Sequence, residues 1–130
     1  MADLAFYAGR FMDSCNWEPF LKAAFERNPV SIEFFREMDA QLVYGTLQSW
    51  PDELIYDGNR LALPDEVVNF RRGDGIEKAI TLANVLKNRT ATSKITMETG
   101  DRQVILHSDH HTFTFNTGKE FPSLPDKMIL

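Results

Sequence analysis

Apolar residues recur at helical spacing along the first half of the chain and at every second position towards its end. Over Ala2 to Met12, residues Leu4, Phe6, Tyr7, Ala8 and Phe11 form a broad apolar face that Asp13-Ser14 breaks. Trp17, Phe20, Leu21, Ala24 and Phe25 repeat the pattern to Arg27. Pro19 is compatible only with a first turn, so this helix begins near Glu18, and Asn28-Pro29 ends it. Ser31 is placed to cap a third helix reaching about Leu47, with Ile32, Phe35, Met38, Leu42, Val43 and Leu47 inward. Trp50-Pro51 stops it.

The middle of the chain changes character. Leu54-Ile55-Tyr56 and Arg60-Leu61-Ala62-Leu63 read as two short strands around an Asp57-Gly58-Asn59 turn, a small hairpin. Pro64 to Phe70 fits either a short helix with proline at its first position or an irregular segment. The best-defined helix then starts near Asp74, whose carboxylate can cap the first turn while Glu77 reaches back to the amide of Asp74. Ile76, Ala79, Ile80, Ala83 and Val85/Leu86 share its apolar face, Glu77, Thr81, Asn84 and Asn88 are expected on a wet face, and Lys87 and Arg89 suit its C-terminal end.

Beyond Arg89 the period becomes two. Ile95/Met97, Val104/Leu106 and Phe113/Phe115 alternate with polar residues, which predicts a three-stranded antiparallel meander with one apolar face. The helix from Asp74 is the nearest cover for that face, and Pro122 and Pro125 mark an extended tail. The expected architecture is α+β in a single domain, residues 1–130: N-terminal helices, a small hairpin, a central helix and a C-terminal meander.

Composition changes this picture little. Of 130 residues, 43% are hydrophobic and 25% charged, ordinary values for one globular domain with a true core. A net charge of −5 argues against general affinity for nucleic acid or anionic membrane. The N-terminal residues show no basic stretch followed by a long apolar run, and nowhere do ~18 apolar residues stand together, so neither a signal peptide nor a membrane span is expected. Cys15 is the sole cysteine, which excludes an internal disulfide and a multi-thiolate zinc site and fits a reducing, cytoplasmic setting. With no basic neighbour in sequence, its thiol is expected to be inert.

Several clusters carry candidate chemistry. His107, Asp109 and His111 are a possible ligand set for a divalent metal such as zinc, and with Glu77 as acid or base they define a small metal-dependent hydrolase. Against this, neighbouring residues at a strand corner point to opposite faces. Arg71, Arg72, Gly73 and Gly75 precede a helix N-terminus and form a candidate anion site, which Asp74 opposes by its own charge. Phe34 beside Phe35 places one ring off the core face and makes the pair a candidate interface.

The spacing Arg72-x-Asp74-Gly75-x-Glu77-x-Ala79, then Leu82-Ala83-x-x-Leu86-Lys87, resembles the nucleophile helix of transglutaminase-like cysteine peptidases. In that family a thiol stands at the helix N-terminus, where amides and dipole lower its pKa. Here the position is Gly75, so the resemblance implies a scaffold without the family's nucleophile. It also asks for a histidine and an aspartate on later strands. His107, His110 and His111 lie in the right region, but Asn116 stands where the aspartate belongs. No nucleophile and base share a convincing spacing, so the sequence favours a non-catalytic binding module, a degenerate transglutaminase-like scaffold that meets a protein partner or itself and carries no cofactor. The metal-dependent hydrolase is the alternative.

Overall fold

The computed structural model describes residues 17–56, 60–89, 94–100, 102–108, 111–118 and 127–130, with only the backbone of Trp17 and Glu18. The helix expected over 2–12, Cys15, the 57–59 turn, Asp109, His110 and the two tail prolines lie outside them. Within the described residues, helices α1 (Trp17–Glu26), α2 (Pro29–Phe34), α3 (Ala40–Ser49), α4 (Pro64–Phe70) and α5 (Gly75–Arg89) precede strands β1 (Thr96–Gly100), β2 (Gln103–His107), β3 (Thr112–Asn116) and β4 (Lys127–Ile129). The fold is α+β, as the two periodicities predict.

The stretch expected as one helix from Ser31 to Leu47 is two. The Asp39 carboxylate accepts from the Leu42 amide at 2.8 Å and caps a fresh start, while the Phe35 amide closes α2 on the Ser31 carbonyl. Ser31 lies buried inside α2 and caps nothing. Instead, the Asp65 carboxylate of α4 accepts from the amides of Val30 and Ser31 at 3.1 and 2.7 Å, and Asn28 Oδ1 accepts from the Asp65 amide at 3.0 Å. Each helix thus supplies the acceptor that the first turn of the other lacks.

In the 54–63 segment, whose 57–59 turn lies outside the described residues, Arg60 makes an isolated bridge and no strand is formed by the described residues. Side-chain contacts tie the segment down: the Arg60 guanidinium lies 3.8 Å over the Tyr56 ring, the Tyr56 hydroxyl donates to Glu66, and the Ala62 amide donates to Glu77. Pro64 to Phe70 resolves as a helix with Pro64 in its first turn, and Glu66 reaches back to the Leu63 amide at 2.9 Å.

The sheet runs β3-β2-β1-β4, all antiparallel, with Met97 opposite Leu106 and Val104 opposite Phe115. The meander is as expected, and Lys127–Ile129 adds a fourth strand beside β1. Ile95, Met97, Val104, Leu106, Phe113 and Phe115 are buried on the inner face. At the β3 edge, the Tyr44 hydroxyl and Gln48 Nε2 of α3 donate to the Thr114 carbonyl at 2.8 and 2.9 Å, which covers groups that would otherwise await another strand.

Helix α5 lies between this sheet and the other helices, against β2 and β3 on one side and α1 to α4 on the others. Every residue from Gly75 to Val85 is buried. The wet face expected at Glu77, Thr81 and Asn84 is therefore absent, and of that set Asn88 alone is exposed. Burial is tolerable because the polar groups find partners. The Thr81 hydroxyl donates to the Glu77 carbonyl at 2.8 Å, and Asn84 Nδ2 donates to Ser31 Oγ at 2.8 Å and to the Asn28 carbonyl at 3.2 Å. Asn84 Oδ1 has no hydrogen-bond partner among the described residues.

The helix meets the sheet most closely at its first residue. A Cβ on Gly75 would fall onto the Asn116 carbonyl, 2.6 Å from its carbon and 3.1 Å from Phe115 Cβ. Backbone cannot yield as a flexible side chain would, so Gly75→Ala is expected to lower stability by roughly 3 kcal/mol in urea unfolding. A midpoint unchanged from the parent protein would contradict this packing.

Candidate functional site

Three regions hold the residues with candidate chemistry, and the first is the N-terminus of α5. Glu77 Oε1 accepts from the Asp74 amide at 2.8 Å, and Asp74 Oδ2 accepts from the Ile76 amide at 3.0 Å, so the capping box forms as the spacing predicts. Both carboxylates also reach outside the helix. Glu77 Oε2 accepts from the Ala62 amide, while Asp74 accepts from the Thr117 hydroxyl and, at 2.8 Å, from the Gly118 amide. Glu77 is 1% exposed and Asp74 4%. Among the described residues, both carboxylates are taken up by these hydrogen bonds.

One residue later stands Lys78, which the sequence reading did not single out. Also 1% exposed, its ammonium donates to the Trp50 carbonyl at 2.7 Å and to Asp52 at 2.6 Å. This anchors the chain leaving α3 against the central helix, assisted by the Gly73 amide donating to the Pro51 carbonyl at 3.2 Å. A buried lysine needs such partners to remain charged. The local pattern held no signal for this, since Lys78 stands beside Glu77 and its neighbours two positions away, Ile76 and Ile80, lie on the other side of the helix.

The second region is the outer face of the sheet. Strand alternation turns His107 away from α5, since Leu106 is buried against the core. His107 Nε2 lies 2.7 Å from Glu98 Oε2, and Nδ1 lies 3.4 Å from Thr112 Oγ1. His111 sits elsewhere, with its ring edge-on to Phe113 at 5.9 Å. Glu77, His107 and His111, grouped as an alternative catalytic set, are thus not brought together. No cluster of three His, Cys, Asp or Glu side chains that could hold a metal occurs among the described residues, of which Asp109 is not one.

The His107 hydrogen bond holds the Glu98 carboxyl below its usual value of 4.5, helped by the nearby charges of His107 and Lys127 and opposed by partial desolvation. A depressed carboxylate contributes stability above its unfolded-state pKa and loses it as pH falls through the folded one.

The third region is the surface where α4 ends. Arg71 closes α4 with φ 55° and ψ 40°, the left-handed conformation that glycine usually fills and that costs another residue roughly 1–2 kcal/mol. Its guanidinium lies 4.4 Å over the Phe34 ring and 5.6 Å from the centre of the Trp50 ring. The Arg72 guanidinium lies 5.5 Å over Phe70 and 3.8 Å from Glu53. The anion site expected at Arg71, Arg72, Gly73 and Gly75 is not assembled: both guanidiniums turn to aromatic rings, Gly73 and Gly75 are buried, and the Ile76 amide is taken by Asp74.

At Phe34 and Phe35, the expected interface, the two rings differ in burial. Phe35 is fully buried, and Phe34 packs edge-on against it at 4.8 Å with Arg71 above. The large exposed apolar side chains here are instead Phe70, 53% exposed, and Leu54. Trp50 to Leu54 and Phe70 to Arg72 form one surface, joined by the Arg72–Glu53 pair and the Gly73–Pro51 bond.

No family model, curated protein or solved structure matches the chain.

Two substitutions separate structural from chemical roles. Glu77→Gln keeps the shape but turns an amide NH2 towards the Asp74 or Ala62 N–H, and is expected to cost about 1–3 kcal/mol in urea unfolding. A neutral effect would contradict the double acceptor role. In His107→Ala, the Glu98 carboxyl followed by NMR is expected to titrate at higher pH than in the parent protein, and an unmoved midpoint would contradict the pairing.

Proposed function

We propose that the chain is a non-catalytic protein-interaction module whose contact surface is formed by Trp50 to Leu54 and Phe70 to Arg72. The observation that carries this reading is the Phe70 ring, more than half exposed beside two arginines whose guanidiniums already lie over aromatic rings. Arginine with aromatic rings is the composition that dominates binding energy at protein interfaces. Stacking also fixes the long arginine side chains in advance, which lowers the entropy lost on binding.

A non-catalytic role is supported by the engagement of Asp74, Glu77 and Lys78 in hydrogen bonds that hold the fold. The proposal includes the degenerate transglutaminase-like scaffold. Gly75 at the start of a helix packed on an antiparallel sheet agrees with it, and the backbone beside Gly75 leaves no room for a side chain there.

Peptides selected from a displayed random library against the purified protein test the reading. Binders are expected whose affinity falls at least tenfold in Phe70→Ser, about the loss seen on truncating an interface anchor. Selected peptides indifferent to that substitution, or none at all, would contradict it.

A further inference from the structure

Resting on the interaction surface just described, we infer that Arg71 is the anchor for a carboxylate on the partner, and that the partner presents an acidic segment with an apolar side chain for Phe70. The charges around Arg71 are already matched. Lys78 has Asp52 at 2.6 Å, and Arg72 has Glu53 at 3.8 Å. Arg71, exposed beside them, has no carboxylate within ion-pair distance among the described residues. The positive charge left over on this surface is its own, and the complement of that charge is an anion.

The type of anion follows from how the guanidinium is held. Its carbon lies 4.4 Å over the Phe34 ring and 5.6 Å from the centre of the Trp50 ring, which holds the group against aromatic surface on an exposed residue. Two parallel N–H groups along a guanidinium edge match the two oxygens of a carboxylate. Phe70 and Leu54, exposed on the same surface, supply the apolar half of the contact.

The backbone gives an independent reason to look here. Arg71 occupies a left-handed position at the end of α4 where glycine fits without strain, so the side chain is retained against a local cost. Strain kept at an exposed arginine points to recognition. A second copy of this chain fits less well, because the carboxylates it would offer from the same surface, Asp52 and Glu53, are already paired.

The test uses two fluorescein-labelled peptides, one alternating glutamate with leucine and the other glutamine with leucine, read by anisotropy. Saturable binding of the glutamate peptide is expected, at least tenfold weaker for the glutamine peptide and by a similar factor for the glutamate peptide with Arg71→Gly or Arg71→Asn. Both replacements accept the left-handed backbone, so their unfolding midpoints are expected to stay near that of the parent protein. Equal binding of the two peptides, no binding, or full binding by a folded Arg71 variant overturns the carboxylate anchor. If binding then still falls in Phe70→Ser, the surface stands without it; if neither residue matters, both readings fail. A dimer in light scattering that Arg71→Gly converts to monomer assigns the surface to a second copy and overturns the acidic partner.

Discussion

The two carboxylates at the start of α5, Asp74 and Glu77, are the constraint on which the structure depends. An ordinary capping box satisfies amides of its own helix and ends there. Here the same oxygens continue outward, from Glu77 to the Ala62 amide and from Asp74 to Thr117 and Gly118 beyond β3. One charged turn therefore joins the segment before α4, the central helix and the end of the sheet. Because these carboxylates are buried, leaving their partners unmade would be costly, which makes the junction specific as well as stable. Gly75 belongs to the same constraint, since only without a Cβ can the helix start lie on the Asn116 carbonyl.

Much of this was legible in the sequence, and the misses share a cause. The cap at Asp74, the strand alternation and the helical start near Glu18 are local patterns, and they appear where the pattern puts them. What failed needed knowledge of neighbours. Glu77, Thr81 and Asn84 occupy positions that suit solvent in an isolated amphipathic helix, but α5 is wrapped on all sides and their partners come from residues as distant as Asn28 and Ala62. Before α4 the same holds, since the Ala62 amide donates to a helix carboxylate from another part of the chain. Asp39 signalled the break between α2 and α3 as a cap residue, yet the apolar spacing ran through it unbroken.

The site was less legible than the fold for a related reason. Histidines are conspicuous in a sequence, whereas the faces on which they point are set by register, and His107 and His111 are turned to different surroundings. Two arginines ahead of a helix suggest an anion site in sequence, whereas beyond the left-handed turn at Arg71 both guanidiniums lie over aromatic rings. Phe34 and Phe35 drew attention as a pair, and it is Phe70, a single aromatic residue beside two arginines, that remains in solvent. The proposed contact surface rests on the contrast between matched charges inside and an unmatched arginine over aromatic rings outside.

The α5 carboxylates hold the fold together. Amide hydrogen exchange at Ala62 and Gly118 tests this directly, because both amides lie outside any helix or strand and would exchange rapidly without their carboxylate acceptors. The account predicts protection at both amides comparable to that of the α5 interior. Exchange as fast as that of the exposed segment around Leu54 would contradict it.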